Sequence, residues 1–475
     1  MSRSFVSPRR SVLAGTWYPG SAEHLLQDVK RYCECARQVE FEGSPLGLIV
    51  PHAGYAYSGS CAGYGYRVFE RAHPRRVVII GPSHRDSFAG VALPDVDAFE
   101  TPLGAMPVDA NAIALLRARE PFVVRAAAHG TEHCIEIQLP FLQRFLPDAT
   151  IVPLVVGHVD AVGKRLAAAG LRALLDGDTF FVVSSDFTHY GEAFGYLPFP
   201  PQGDVRARLE ELDGHAIDAI SRRDIEALVA HCGKVDATIC GVAPIEILLR
   251  ALEGADVKAR LLKYDTSGDS TGDWRHCVAY ATMLFEDLGR IDAEAGRLLL
   301  RLARNAIVRA LGLAGEVGPP KTPLPACIAR PAGAFVTIKR HGRLRGCIGH
   351  LTSERPLHAV VTEVAVLAAT EDARFEPVRQ EEVSDLQVEV SVLSKPVPVA
   401  DEREVVVGHD GLIAEWGGFR GTLLPQVAVE HHLDREAFIE ATLAKARIPT
   451  EGTVRSQVKL QRYAAQVVRE AGHES

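Results

Sequence analysis

The chain has 475 residues, 47% hydrophobic and 24% charged, with a formal net charge of −8. That length exceeds what one hydrophobic core usually organises, so two domains are expected. The acidic balance argues against nucleic acid as a partner, and the lack of an apolar run of about 18 residues argues against a membrane span. The basic opening, Met1 to Arg10, leads into no apolar signal core, and the nine cysteines are scattered and odd in number. Both features predict a cytoplasmic, reducing location.

The first helix is predicted over Ala22 to Gln38, with Cys33 and Cys35 as helix core and surface. Valine-, isoleucine- and leucine-rich runs then predict buried strands at Leu46–Val50, Arg76–Ile80, Thr150–Val156, Thr179–Ser184, Ala259–Tyr264 and His276–Phe285. Helices are expected between them at Glu136–Phe145, Ala161–Leu175, Val205–Ile220 and Pro244–Leu252. This alternation is the pattern of a layered α/β sheet domain. The loop Pro198 to Gly203 is placed to border or cover a site.

A boundary near Glu286–Asp292 divides the chain into domains 1–288 and 289–475. An Arg/Leu-rich helix over Ala293–Leu313 is followed by a Gly/Pro break from Gly315 to Pro325. Ala334–Arg340, a His341-Gly342 turn and Arg343–Leu351 predict a hairpin. A helix at Leu357–Thr370, a strand at Leu386–Leu393, a hairpin around Trp416–Gly421 and helices near Gln426–His431 and Arg435–Ala446 follow. Strands and helices without strict alternation make this second domain α+β and smaller.

Several loops after the predicted strands of the first domain carry ionisable residues. His52, Tyr55 and Tyr57 follow the first strand, and Ser83 and His84 follow the second. Ser184 to Tyr190 brings Asp186 and His189, and Asp265 to Asp273 is rich in Asp and Gly. Glu132-His133-Cys134-Ile135-Glu136 opens a helix, where acidic side chains suit the positive dipole end. Cys240 precedes the helix expected near Pro244, which predicts a lowered thiol pKa. In an open α/β sheet such loops meet at the carboxyl ends of the strands, and two imidazoles converging there suggest a metal. The Asp265–Asp273 spacing lacks the terminal Glu of an EF-hand. No G-x-G-x-x-G pattern supports a nucleotide cofactor.

The runs AGTWYPG (Ala14–Gly20), PHAGYAYSGSCA (Pro51–Ala62), GPSHR (Gly81–Arg85), EHCIEIQLPFL (Glu132–Leu142), SSDFTHYG (Ser184–Gly191) and TICG (Thr238–Gly241) resemble the MEMO family. That family shares its fold with the class III extradiol dioxygenases, which use non-haem Fe(II). The resemblance implies a metal held by His52, His84 and Cys240, with His189, Asp186 and His133 close by as catalytic residues. His189 would move protons, oriented by Asp186, and Tyr55, Tyr57, Ser83 and Tyr190 would contact substrate. A thiolate where ring-cleaving relatives place a carboxylate leaves Fe(II), zinc and copper open and argues against catechol cleavage.

The second domain resembles the AMMECR family through Leu344-Arg-Gly-Cys-Ile-Gly349, Asp372–Pro377 and Gly417–Pro425. Arg345 is a candidate fork for a carboxylate or phosphate, and Cys347 a candidate thiolate if the arginines lower its pKa. The alternative is that the glycines permit close strand packing around a buried Cys347. Together the two resemblances suggest a fusion protein acting on a small or peptidyl substrate, with a radical S-adenosylmethionine enzyme as partner. Three functions remain open at this level: a non-haem iron, dioxygenase-like oxidoreductase, a non-catalytic binding or assembly protein, and a zinc hydrolase.

Overall fold

The computed structural model describes residues 8–314, 324–449 and 452–470. Residues 1–7 of the basic opening and most of the Gly/Pro break after Leu313 therefore lie outside the described residues. The chain separates into two compact units, Met1–Leu252 with Val257–Glu286, and Glu253–Asp256 with Asp287–Ser475.

The first unit is a layered α/β structure. Its sheet runs Val257–Thr266, Cys277–Asp287, Ser44–Val50, Thr179–Ser184, Arg76–Pro82, Thr150–Val156, Val91–Leu93 and Phe122–Val124, with His189–Tyr190 beside Cys277–Asp287. The four central strands are parallel and almost wholly apolar and buried, as a sheet covered on both faces requires. Val50 lies opposite Ser184, and Ile80 opposite Val183. The chain therefore leaves three adjacent strands at one edge, with His52, His84 and Asp186 in the loops just beyond.

Residues 55–66, whose tyrosines the sequence places in a loop, form a helix (Tyr55–Tyr66) rich in glycine. The glycines set its packing against the helix Ala22–Glu34. A Cβ on Gly63 would stand 2.5 Å from the Tyr32 carbonyl oxygen. Glu136–Phe145 is two short helices, His133–Glu136 and Leu139–Phe145, because Pro140 opens the second where its missing N–H costs nothing. Asp265–Asp273 is likewise no open loop. Thr266 and Asp269 form a reciprocal cap on the helix Ser267–Thr271.

The second unit is α+β. Its curled antiparallel sheet runs Arg343–His350, Gly333–Arg340, Leu386–Leu393, Lys459–Arg469, Asp410–Trp416 and Phe419–Leu423, with Val397–Pro398 beside Lys459–Arg469. The helices Ala293–Ala310 and Leu357–Thr370 pack on one face through Leu299, Ala303, Val360 and Val364 against Ala334, Val336 and Ile338. His341 and Gly342 take φ of 49° and 74°, giving the left-handed turn that joins the first two strands. Among the described residues no helix is long and apolar enough to cross a membrane.

Candidate metal centre

His52 is buried beyond Val50. Its backbone N–H donates to Asp186 Oδ1 at 2.7 Å, and its Nδ1 lies 3.0 Å from Ser184 Oγ. Glu132 organises the other two rings. Its carboxylate accepts from the His84 backbone N–H at 2.7 Å, from His84 Nδ1 at 2.9 Å and from the His133 backbone N–H at 2.9 Å. The His84 and His133 rings stand 4.4 Å apart, and His52 lies 5.0 and 5.1 Å from them. One ligand nitrogen from each of these three histidines falls within 4.8 Å of the others.

The protons can be placed. Burial raises the Glu132 pKa, but the His133 and His84 rings outweigh it and hold the carboxyl far below its usual range. An ionised carboxylate only accepts, so Nδ1 of His84 is the donor and Nε2 is the nitrogen left for a ligand. His133 Nδ1 sits 3.1 Å from Glu132 Oε1 but off the hydrogen-bond direction, a buried ring nitrogen with no partner. Burial, with the His133 and His84 rings, keeps His52 neutral. Neutral imidazoles with free nitrogens are the form that ligates a metal, so the residues present fit one.

Cys240 completes the cluster from another direction. Its Sγ lies 3.1 Å from His52 Nε2 and accepts the Asp186 backbone N–H at 3.2 Å. Its helix begins at Val242, yet the expected lowering of the thiol pKa is reversed. Burial, with the nearby Asp186 carboxylate, pushes it well up. Desolvation of a thiolate outweighs the helix terminus when no cation is at hand. Cys240 lies outside the three-histidine set, and His133, expected as a catalytic neighbour, is inside it.

His189 Nδ1 lies 3.0 Å from both the Phe187 and the Thr238 carbonyl oxygens, so it donates there and leaves Nε2 as an acceptor. His189 is oriented by these two carbonyls rather than by Asp186, whose Oδ1 accepts the His52 backbone N–H. Tyr190 is corrected from substrate contact to core. It is fully buried, stacks on Phe199 at 4.8 Å and donates its hydroxyl to the Phe199 carbonyl. The Pro198–Gly203 loop covers this tyrosine. Tyr55 gives its hydroxyl to the Ile137 carbonyl and Ser83 gives its own to Asp86 O, while Tyr57 is exposed.

Three further residues matter here. Glu132 was read only as a helix-start acid, although its position before His133 was the available signal. Trp17 packs its ring 4.7 Å from His133. It also lines a cavity of about 720 Å³ with Tyr32, Tyr55, Ser60, Asp28 and Arg31. Gln138 bonds both the Pro51 carbonyl and Ser184.

The family model for Memo-like protein matches residues 9–284, more than half of the chain. The chain belongs to the Memo-like protein family. A MEMO1 family protein of Thermococcus onnurineus is 33% identical over 293 residues, covering 58% of this chain and 99% of that relative. One from Methanosarcina mazei is 35% identical over 297 residues, covering 58% and 99%. Outside this Memo-like region, the AMMECR1 family model matches residues 300–468. The crystal structure of an uncharacterized Pyrococcus horikoshii protein is 39% identical, covers 37% of this chain and 92% of its own, and has a TM-score of 0.35.

The AMMECR1 unit of this Memo-like chain corrects both of its predicted site residues. Arg345 is no open fork. Nε and Nη2 grip the Glu382 carboxylate at 3.0 and 2.9 Å, and Nη1 and Nη2 donate to the Glu376 and Pro377 carbonyls as well. Burial pushes the Cys347 thiol pKa up rather than down, and its Sγ lies 3.3 Å from Thr337 Oγ1. The glycines serve packing, since a Cβ on Gly346 would stand 2.0 Å from the Ala368 carbonyl oxygen.

Proposed function

We propose that the Memo-like unit is a non-haem Fe(II) enzyme performing redox or oxygen-linked chemistry on a small or peptidyl substrate. The observation that carries this reading is the cluster of His52, His84 and His133 nitrogens within 4.8 Å of one another, with the Cys240 sulfur against His52. His52, His84 and Cys240, or the three histidines, would hold the ion. Bound there, iron would supply a Lewis-acidic, one-electron centre with positions left for substrate and oxygen. The fold relation to extradiol dioxygenases that the sequence suggests supports iron, and the thiol argues for chemistry other than ring cleavage.

The chain's own groups have clear tasks in this reading. His189, with Nε2 free, is the proton acceptor, and it is close enough to affect the charge states of His52 and Asp186. Glu132 anchors His84 and the start of the His133 helix. The cavity beside Trp17 has the size of a small-molecule or short-peptide site. Its contact with His133 supports substrate delivery from that side.

Fusion to an AMMECR1 unit supports a shared pathway or substrate. Through the resemblance noted from sequence, it also supports a radical S-adenosylmethionine enzyme as partner. All nine cysteines are unpaired, which supports a reducing, cytoplasmic setting. The test is nitric oxide added to oxygen-free, Fe(II)-loaded protein. A high-spin iron–nitrosyl signal in paramagnetic resonance is expected. Iron-loaded protein that stays silent, or a site that accepts only zinc, would overturn the iron reading.

A further inference from the structure

Ser184 is fully buried at the end of its strand, and three polar atoms surround its hydroxyl. The Cys134 carbonyl oxygen lies at 2.6 Å, Gln138 Nε2 at 2.8 Å and His52 Nδ1 at 3.0 Å. A serine hydroxyl has one hydrogen and two lone pairs. The assignment of each follows from what its neighbours can do.

The Cys134 carbonyl only accepts, so the Ser184 hydrogen goes there. Gln138 is oriented by its other contacts. Its Nε2 also donates to the Pro51 carbonyl at 3.0 Å, which fixes that atom as the amide nitrogen, and its Oε1 accepts the Tyr66 hydroxyl at 2.9 Å. Gln138 therefore donates to one Ser184 lone pair. The second lone pair faces His52 Nδ1, and with the serine hydrogen already used, His52 must be the donor. The proton of this buried ring then sits on Nδ1, and Nε2 presents a lone pair toward Cys240 Sγ, 3.1 Å away.

We propose that Ser184, held by Gln138 and the Cys134 carbonyl, is a positioning residue that locks His52 in its Nδ1–H tautomer and so aims Nε2 at the metal. The metal half of this statement rests on the function proposed above; the tautomer half does not. Gln138 adds a second restraint, since it ties Pro51, the residue before His52, to the same serine. Without the Ser184 oxygen, the acceptor beside Nδ1 is gone and the sulfur facing Nε2 draws the proton to the ligating side.

The test uses the whole chain with nitrogen-15-labelled histidine, freed of metal by chelation, and long-range proton–nitrogen correlation spectra. The His52 signals are identified by their loss in His52→Ala. Wild type is expected to show His52 protonated on Nδ1. Ser184→Ala is expected to move the proton to Nε2 and to weaken cobalt(II) binding about 10- to 100-fold. Ser184→Thr, which keeps the hydroxyl, is expected to restore both. Wild-type His52 protonated on Nε2 would overturn the proposal without any variant. So would a Ser184→Ala protein that retains the Nδ1–H form and wild-type cobalt affinity. The tautomer is read in metal-free protein, so a failure of the iron reading alone leaves this pattern in place.

Discussion

Glu136→Leu is expected to destabilise the Memo-like unit by about 3–5 kcal/mol, the usual cost of stripping one partner from a buried ion pair. Glu136 is completely buried and ion-paired with Arg9. It also accepts from the Ser11 hydroxyl at 2.7 Å, the Leu13 backbone N–H at 3.0 Å and the Tyr18 hydroxyl at 2.6 Å. Burial pushes its pKa up, but the Arg9 charge and the Tyr18 hydroxyl bring it below the usual carboxylate value. Leucine would leave a guanidinium buried without its counter-ion and release the segment that carries Trp17. Scanning calorimetry is expected to show the first unit melting roughly 10 °C lower. Arg9→Leu added to Glu136→Leu is expected to recover part of the loss, because the stranded charge goes too. A loss below about 1 kcal/mol would show that Glu136 is not the anchor described.

Asp213→Asn is expected to change the pH dependence of stability in the opposite sense from most carboxylate replacements. Asp213 is buried in the helix Val205–Arg222 and accepts from the Thr188 hydroxyl at 2.6 Å and the Tyr264 hydroxyl at 2.8 Å. It thus ties the loop between Asp186 and His189 to the strand Val257–Thr266. Burial outweighs these two bonds and raises its pKa to about 6. Between pH ~4 and ~6 the folded protein holds a proton that the unfolded chain has shed, so this group's contribution falls as pH rises. A displacement of about two pH units corresponds to about 3 kcal/mol. Asn cannot ionise but retains an oxygen for Thr188. The stability of Asp213→Asn relative to wild type, from urea unfolding at pH 4.5 to 7.5, is therefore expected to climb by about 2–3 kcal/mol. A flat difference would contradict the buried-carboxylate account.

Where one physical signal dominated, the sequence was legible to the residue. Thr150–Val156, Thr179–Ser184, Leu357–Thr370 and Leu386–Leu393 appear with the bounds their apolar runs suggest. Both hairpins turn at residues that tolerate a left-handed backbone, His341-Gly342 and Gly417-Gly418. Where signals conflicted, sequence reasoning went astray. The helix Tyr55–Tyr66 was hidden by glycines that weaken helix propensity locally but admit Tyr32 in the fold. Val91–Leu93 and Phe122–Val124 are too short to show any period.

The site divides in the same way. Histidines just past apolar strands could be picked out because parallel strands end at one edge. What those histidines bond to could not, since Ser184 and Glu132 reach His52 and His84 across 132 and 48 residues of sequence without any local pattern, and Gln138 acts on His52 only through Ser184 and Pro51. The errors in the second unit share one cause. Arginines beside Cys347 suggested free positive charge, but Glu382 neutralises Arg345 in place.

The most direct measurement is the metal content of the whole chain after oxygen-free purification, wild type against His52→Ala/His84→Ala. Wild type is expected to retain stoichiometric iron and the double variant only background amounts, with both proteins folded by circular dichroism. Equal metal in the two would mean that these imidazoles do not enclose an ion.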